Sequence, residues 1–156
     1  MLVRAPNPSA MTLSGTNSYL IDGENGEAIC IDPGPEIERH IDALLATAAM
    51  RGVRIALICI THGHPDHAPG ARLLAQRTGA PVAAHRDLPF PHDRSIAEGD
   101  ILEAGNARLR AVEAPGHTFD HLVYYEERDR ALFTGDVVLG QGYVVIAPPG
   151  GAMRSY

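Results

Sequence analysis

The chain has no tryptophan and no lysine, only two cysteines and three phenylalanines. It also has no apolar run of membrane-spanning length. Each absence removes a class of function. Aromatic residues make up 5% of the chain and the formal charge is −6, so the composition offers neither a stacking platform nor a basic face for nonspecific nucleic-acid binding. The longest apolar stretches, such as residues 55–60, fall far short of the roughly 20 residues a membrane helix needs. Residues 1–10 show no signal-peptide core. The expectation is a cytoplasmic protein with no membrane partner. Cys30 and Cys59 each sit inside a short apolar run, where buried free thiols are expected rather than a disulfide.

What remains is a globular composition, 45% hydrophobic and 21% charged over 156 residues, which suits a single folded domain. Residues 18–22 and 27–31 read as a hairpin around Gly23-Glu24-Asn25-Gly26. Residues 36–51 carry Ile37, Ile41, Leu44, Leu45 and Ala48 at helical spacing, with Pro35 before and Gly52 after. Residues 53–60 form a continuous β-branched run, the signature of a strand covered on both faces. A helix over 69–78 and strands over 82–84, 101–103, 107–113, 122–125 and 131–134 follow, with 87–100 read as loop. Residues 142–149 add a last β-like apolar stretch.

The eight histidines are the distinctive feature, and their placement is uneven. Thr61-His62-Gly63-His64-Pro65-Asp66-His67 sets three imidazoles and a carboxylate directly after the buried strand. In extended chain, residues two apart point the same way, so His62 and His64 share a side, while a turn at Pro65 redirects Asp66 and His67. Nitrogen and oxygen donors without cysteine fit a catalytic rather than a structural metal centre, and two divergent pairs fit two ions. Pro115-Gly116-His117 and Thr134-Gly135-Asp136 end later strands. They complete the set: His62, His64 and His117 for one ion, Asp66, His67 and a bridging Asp136 for the other.

These residues, in this order, resemble the metallo-β-lactamase superfamily. The likeness is carried by His62-Gly63-His64-Pro65-Asp66-His67, Ala114-Pro115-Gly116-His117-Thr118 and Phe133-Thr134-Gly135-Asp136. Asn7-Pro8, Gly15-Thr16-Asn17-Ser18-Tyr19, Asp32-Pro33-Gly34, His117-Thr118-Phe119-Asp120-His121 and Asp136-Val137-Val138-Leu139-Gly140 look more narrowly like its β-lactamase-like protein 2 branch, a group of binuclear zinc hydrolases. The resemblance implies an α/β (α+β) fold, an αββα sandwich with the metals at one edge of two sheets. It also implies two Zn²⁺ ions per complete domain, iron or manganese being alternatives, and the metal ligands His62, His64, Asp66, His67, His117 and Asp136. The family has one more histidine ligand beyond the motif of Asp136, and no histidine follows His121 here. Residues 1–156 are therefore expected to be one metallo-β-lactamase-like domain that stops before its last motif.

The implied chemistry is hydrolysis of an ester, thioester or phosphodiester, the metals activating water and Asp66 orienting the nucleophile or relaying its proton. The expected partner is a small-molecule substrate, with RNA as the other candidate; the oligomeric state is open. Alternatives are a hydroxyacylglutathione hydrolase-like thioesterase, an iron-dependent persulfide dioxygenase-like oxidoreductase and a non-catalytic metal-binding fragment. Asp32 reads either as a partner to a ligand histidine or as a turn residue, and His121 either as such a partner or as packing. His40 is expected on the helix surface, His85 and His92 in loops.

Overall fold

The layering follows from which way alternate residues point. In β4 (Arg54–Cys59), Ile58 faces one apolar cluster while Leu57 and Cys59 face another. The same split places Leu20 opposite Ile21 in β2 (Asn17–Asp22) and Cys30 opposite Ile29 and Ile31 in β3 (Glu27–Ile31). A sheet buried on both faces results. The computed structural model describes residues 1–156 as two β-sheets and two helices.

The first sheet has the order β1-β2-β3-β4-β5-β6, where β1 is Leu2–Arg4, β5 is Val82–His85 and β6 is Arg94–Ile96. Its first two pairings are antiparallel; those of β3 through β6 are parallel. The parallel strands are linked by helices α1 (Glu38–Met50) and α2 (Gly70–Thr78), which cover the outer face through Ile41, Leu44, Ala71 and Leu74. The second sheet is an antiparallel meander, β10-β9-β8-β7, built from Ile101–Ala104, Ala107–Glu113, Leu122–Glu126 and Ala131–Phe133 for β7 to β10. Leu102, Leu109, Leu122 and Tyr124 fill the seam between the sheets. Each such fully buried Leu stabilises the fold by about 1.5–3 kcal/mol. The second sheet's outer face carries the cross-strand pair Glu103–Arg108 and Arg110 with Glu127. This is an α/β fold of three layers, helices, sheet and sheet, matching the expected sandwich except for its fourth layer.

The two cysteines lie on opposite faces of the first sheet and are free thiols, as expected. No helix is long and apolar enough to cross a membrane. Three sequence readings need correction, and one strand is added. Helix α1 begins at Glu38, because Pro35 and Glu36 occupy a turn in which Ile37 N–H donates to Pro35 O at 2.7 Å. Residues 94–96, read as loop, pair in parallel with β5. Residues 2–4 pair with β2. Residues 142–149 form no strand; the segment folds back over the His117 loop, where Phe119 N–H donates to Gly150 O and Ala152 N–H to Gly116 O.

Candidate metal centre

Parallel strands deliver their carboxyl ends to one edge of a sheet, and loops held there by a rigid scaffold are where chemistry is built. The His-rich loop leaves β4 at that edge and turns at Pro65: His67 and Ala68 N–H groups donate to His64 O at 3.0 and 3.1 Å. His117 arrives from the β8–β9 loop and Asp136 from the segment after β10. His62 Nε2 lies 3.0 Å and His117 Nε2 2.9 Å from His64 Nδ1. Donor atoms of His62, His64, His117 and Asp136 all fall within 4.8 Å of one another. Asp66 and His67 stand beside them: His67 Nε2 is 3.4 Å from Asp66 Oδ2 and 3.4 Å from Asp136 Oδ1. The other Asp136 oxygen faces His117 Nε2 at 3.6 Å. All six sequence-derived candidates therefore meet at one place.

Proton bookkeeping tells which nitrogens carry lone pairs. Val145 O accepts from His117 Nδ1 at 2.6 Å, so Nε2 is the ring nitrogen left to offer a bare lone pair. Thr61 Oγ1 donates to Asp32 Oδ2 at 2.7 Å, so it accepts from His62 Nδ1, and His62 Nε2 is bare as well. His64 Nδ1 meets both bare nitrogens, and one N–H cannot serve two acceptors fully. A shared cation can. Four ligands held tetrahedrally about 2.0–2.1 Å from zinc lie about 3.3 Å apart, close to the spacing found here. The residues present fit a divalent metal.

The surrounding electrostatics agree. Burial, then the neighbouring imidazoles, push His62 well down from its ordinary value; burial, then His117, lowers His64. Both rings are neutral and free to ligate. Burial alone would also depress His67, but the Asp32 charge and hydrogen bonds to Asp136, Asp32 and Asp66 outweigh it and raise its pKa well above normal. Burial opposes ionisation of Asp66, yet hydrogen bonds from His67 and Thr16 bring it down to about 2.

Asp32 partners His67 rather than serving only as a turn residue. Buried at the end of β3, it accepts from His67 Nδ1 at 2.9 Å, Thr61 N–H at 2.7 Å and Thr61 Oγ1. His121 is buried and stacks on His62 with ring centroids 4.6 Å apart, while its Nε2 accepts from Asp136 N–H at 3.2 Å. Burial, then His117 and His67, lower it to about 3, so it stays neutral. Gly135 passes so close that an added Cβ would lie 2.7 Å from this ring. His40 overturns its reading: it is buried, with Nε2 2.8 Å from Ser18 Oγ. His85 belongs to β5, 3.4 Å from Glu113, and His92 contacts Phe90 O and Ser95; neither joins the centre. Two further contributors lie inside motifs to which the sequence alone assigns no site role. Asp120 Oδ2 accepts from Gly63 N–H at 3.1 Å, and Thr16 Oγ1 reaches Asp66 Oδ2 at 2.9 Å. A cleft of about 470 Å³ opens on Asp66, His67 and Asp136, with Leu13, Tyr19, Phe133 and Leu139 among its walls.

Comparison with known proteins places this geometry. The sequence profile of the Metallo-beta-lactamase superfamily matches residues 11–155. The chain is 35% identical over 154 residues to the atrochrysone carboxyl ACP thioesterase of Aspergillus chevalieri, covering 98% of this chain and 50% of that protein. It is 36% identical over 156 residues to the lactamase-like protein adaB of Aspergillus niger, covering 99% and 49%. It thus spans about half the length of these curated relatives. Among solved structures, ETHE1 from Myxococcus xanthus superposes with a TM-score of 0.73 at 29% identity, over 82% of this chain and 55% of that one. The BLEG-1 B3 metallo-beta-lactamase gives 0.81 at 21% identity, over 99% and 81%, a likeness of fold. The chain belongs to the metallo-beta-lactamase superfamily.

Proposed function

We propose that this chain carries the binuclear zinc centre of a hydrolase acting on acyl thioesters. In this reading His62, His64 and His117 would hold one cation and Asp66 and His67 a second, with Asp136 shared between them. The observation that carries it is the aim of Asp136, with Oδ1 toward His67 and Oδ2 toward His117. When bound, such cations lower the pKa of water from about 16 towards about 7 and polarise a carbonyl oxygen. The chain's own residues orient and exclude. Asp66 accepts a hydrogen bond from the attacking water; Asp32 and Val145 O fix the ring orientations of His67 and His117.

A small-molecule acyl substrate is favoured over RNA. Arg4 is the only arginine lining the cleft, whose walls include Leu13, Tyr19, Phe133 and Leu139. The thioesterase named among the relatives supports the thioester over other esters. The test is metal analysis of the full-length protein together with turnover on an acyl thioester, a phosphodiester and a β-lactam. Two zinc ions per chain and a thioesterase activity lost on chelation and restored by zinc are expected. Replacing Asp66 with Ala should cut turnover by about 100-fold or more while the first cation stays bound. Turnover only of the phosphodiester or the lactam would overturn the reading.

One observation favours a second reading: four donors converge within 4.8 Å around the three-histidine group alone. A single iron there would suit a persulfide dioxygenase-like oxidoreductase. One iron per chain with oxygen consumption would establish it.

A further inference from the structure

Thr16 is buried opposite Ala5, one step beyond the β1–β2 ladder, and every polar atom it has is committed. Its carbonyl accepts from Ala5 N–H at 2.8 Å, and its own N–H donates to Asn7 Oδ1 at 3.0 Å. The approach is tight: Gly15 has φ +120°, and an added Cβ would sit 2.0 Å from Ala5 O. Because Asn7 Oδ1 is fixed as an acceptor, its amide nitrogen is the group 3.1 Å from Thr16 Oγ1 and must donate to it. The hydroxyl proton of Thr16 is then left for Asp66 Oδ2 at 2.9 Å. Its direction is set by the backbone of two paired segments.

Asp66 needs such a partner. It stands half-buried on the loop after Pro65, and its contact with His67 is a loose 3.4 Å. A ligand on a loop is held only as well as its own hydrogen bonds hold it. We infer that Thr16 is a positioning residue for Asp66, with Asn7 as the clamp that aims its hydroxyl, and that the pair sets the affinity of the Asp66–His67 cation position. This rests on the two-cation assignment given above. It adds a dependence that the assignment alone does not require.

The experiment is a zinc titration of the full-length protein against a competing chelator, reading the two equivalents separately, with melting of the chelated protein as a fold control. Thr16→Val keeps the shape and removes the donor. The weaker equivalent should lose about 10- to 100-fold in affinity, and the stronger should stay within about 3-fold. Thr16→Ser should restore the weaker equivalent, and Asn7→Ala should lower it by a smaller factor. Should Thr16→Val fail to fold, Asn7→Ala carries the test. Unchanged binding in both variants overturns the inference. So does equal loss of both equivalents, or no rescue by serine, since either marks a general structural defect. A wild-type protein that binds one cation overturns the two-cation assignment itself, which the variants do not address.

Discussion

Replacing Asp32 separates the support of the centre from its ligands. Asp32 is buried, and its carboxylate takes three hydrogen bonds, from Thr61 N–H, Thr61 Oγ1 and His67 Nδ1. Asp32→Ala strands all three donors and leaves the raised-pKa imidazole of His67 without its main counter-charge. Breaking a buried charged pair costs about 3–5 kcal/mol. Alanine is also strained at the φ of +49° that Asp32 adopts, by about 1 kcal/mol. Together these take a large part of a typical stability of about 5–15 kcal/mol. Asp32→Asn tolerates that φ and still accepts from Thr61 N–H, but its amide faces two former donors. The Thr61 hydroxyl can rotate; His67 must give up its Nδ1 proton and keep the one on Nε2, toward Asp66 and Asp136. Asp32→Asn should therefore cost less stability, about 1–3 kcal/mol, and, under the proposed two-cation assignment, still weaken zinc at His67 by about 10- to 100-fold. A raised folded pKa stabilises fully below the unfolded value of about 6.5 and is lost as pH rises through the folded value. In chelated protein the gap between wild type and Asp32→Asn should thus be widest at acid pH and narrow as pH rises. Guanidinium denaturation followed by circular dichroism measures the stabilities, and chelator competition the zinc. An Asp32→Ala midpoint within about 1 kcal/mol of wild type would refute the reasoning.

Three further outcomes are expected. Gly135→Ala places a methyl 2.7 Å from the His121 ring and Thr61 Oγ1 at a φ of +49°, and should cost about 2–4 kcal/mol by denaturation. Burial pushes both thiols up, Cys59 and Cys30 alike, so neither should react with Ellman's reagent until guanidinium unfolds the chain; rapid labelling in native buffer would contradict this. Burial lowers His40, His62, His64 and His121, which must charge on unfolding in acid. The chelated protein should lose stability as pH falls below about 6.5, the share of His121 extending to about pH 3, and a melting temperature unchanged between about pH 7 and about pH 5 would count against it.

The centre was legible because its donors lie in short runs at strand ends, where sequence spacing translates directly into direction. The six candidates converge as the pattern of His62, His64, Asp66 and His67 suggested. Its supports were less legible, since they depend on pairings between distant segments. Thr16 reaches Asp66 only because residue 16 is held against residue 5, which no local pattern encodes. His40 could have been found: with Leu44 and Ala48 it makes an i, i+4, i+8 series on the buried face of α1. The short strands β1 and β6 carry too few residues for a period to show. Residues 142–149 have strand propensity but pair with no strand, and propensity alone does not make a sheet.

The centre draws its donors from both sheets. His62, His64, Asp66 and His67 hang from the first, His117 and Asp136 from the second. Between those sheets the contacts are mostly apolar side chains, with hydrogen bonds from Leu122 N–H to Thr61 O and from the Tyr124 hydroxyl to Ile60 O near the centre. Cations held there would act as a rivet through two plates. Their removal would then register as hydrogen exchange at the ends of β4 and β9 nearest the centre, while the rest of each plate stayed protected.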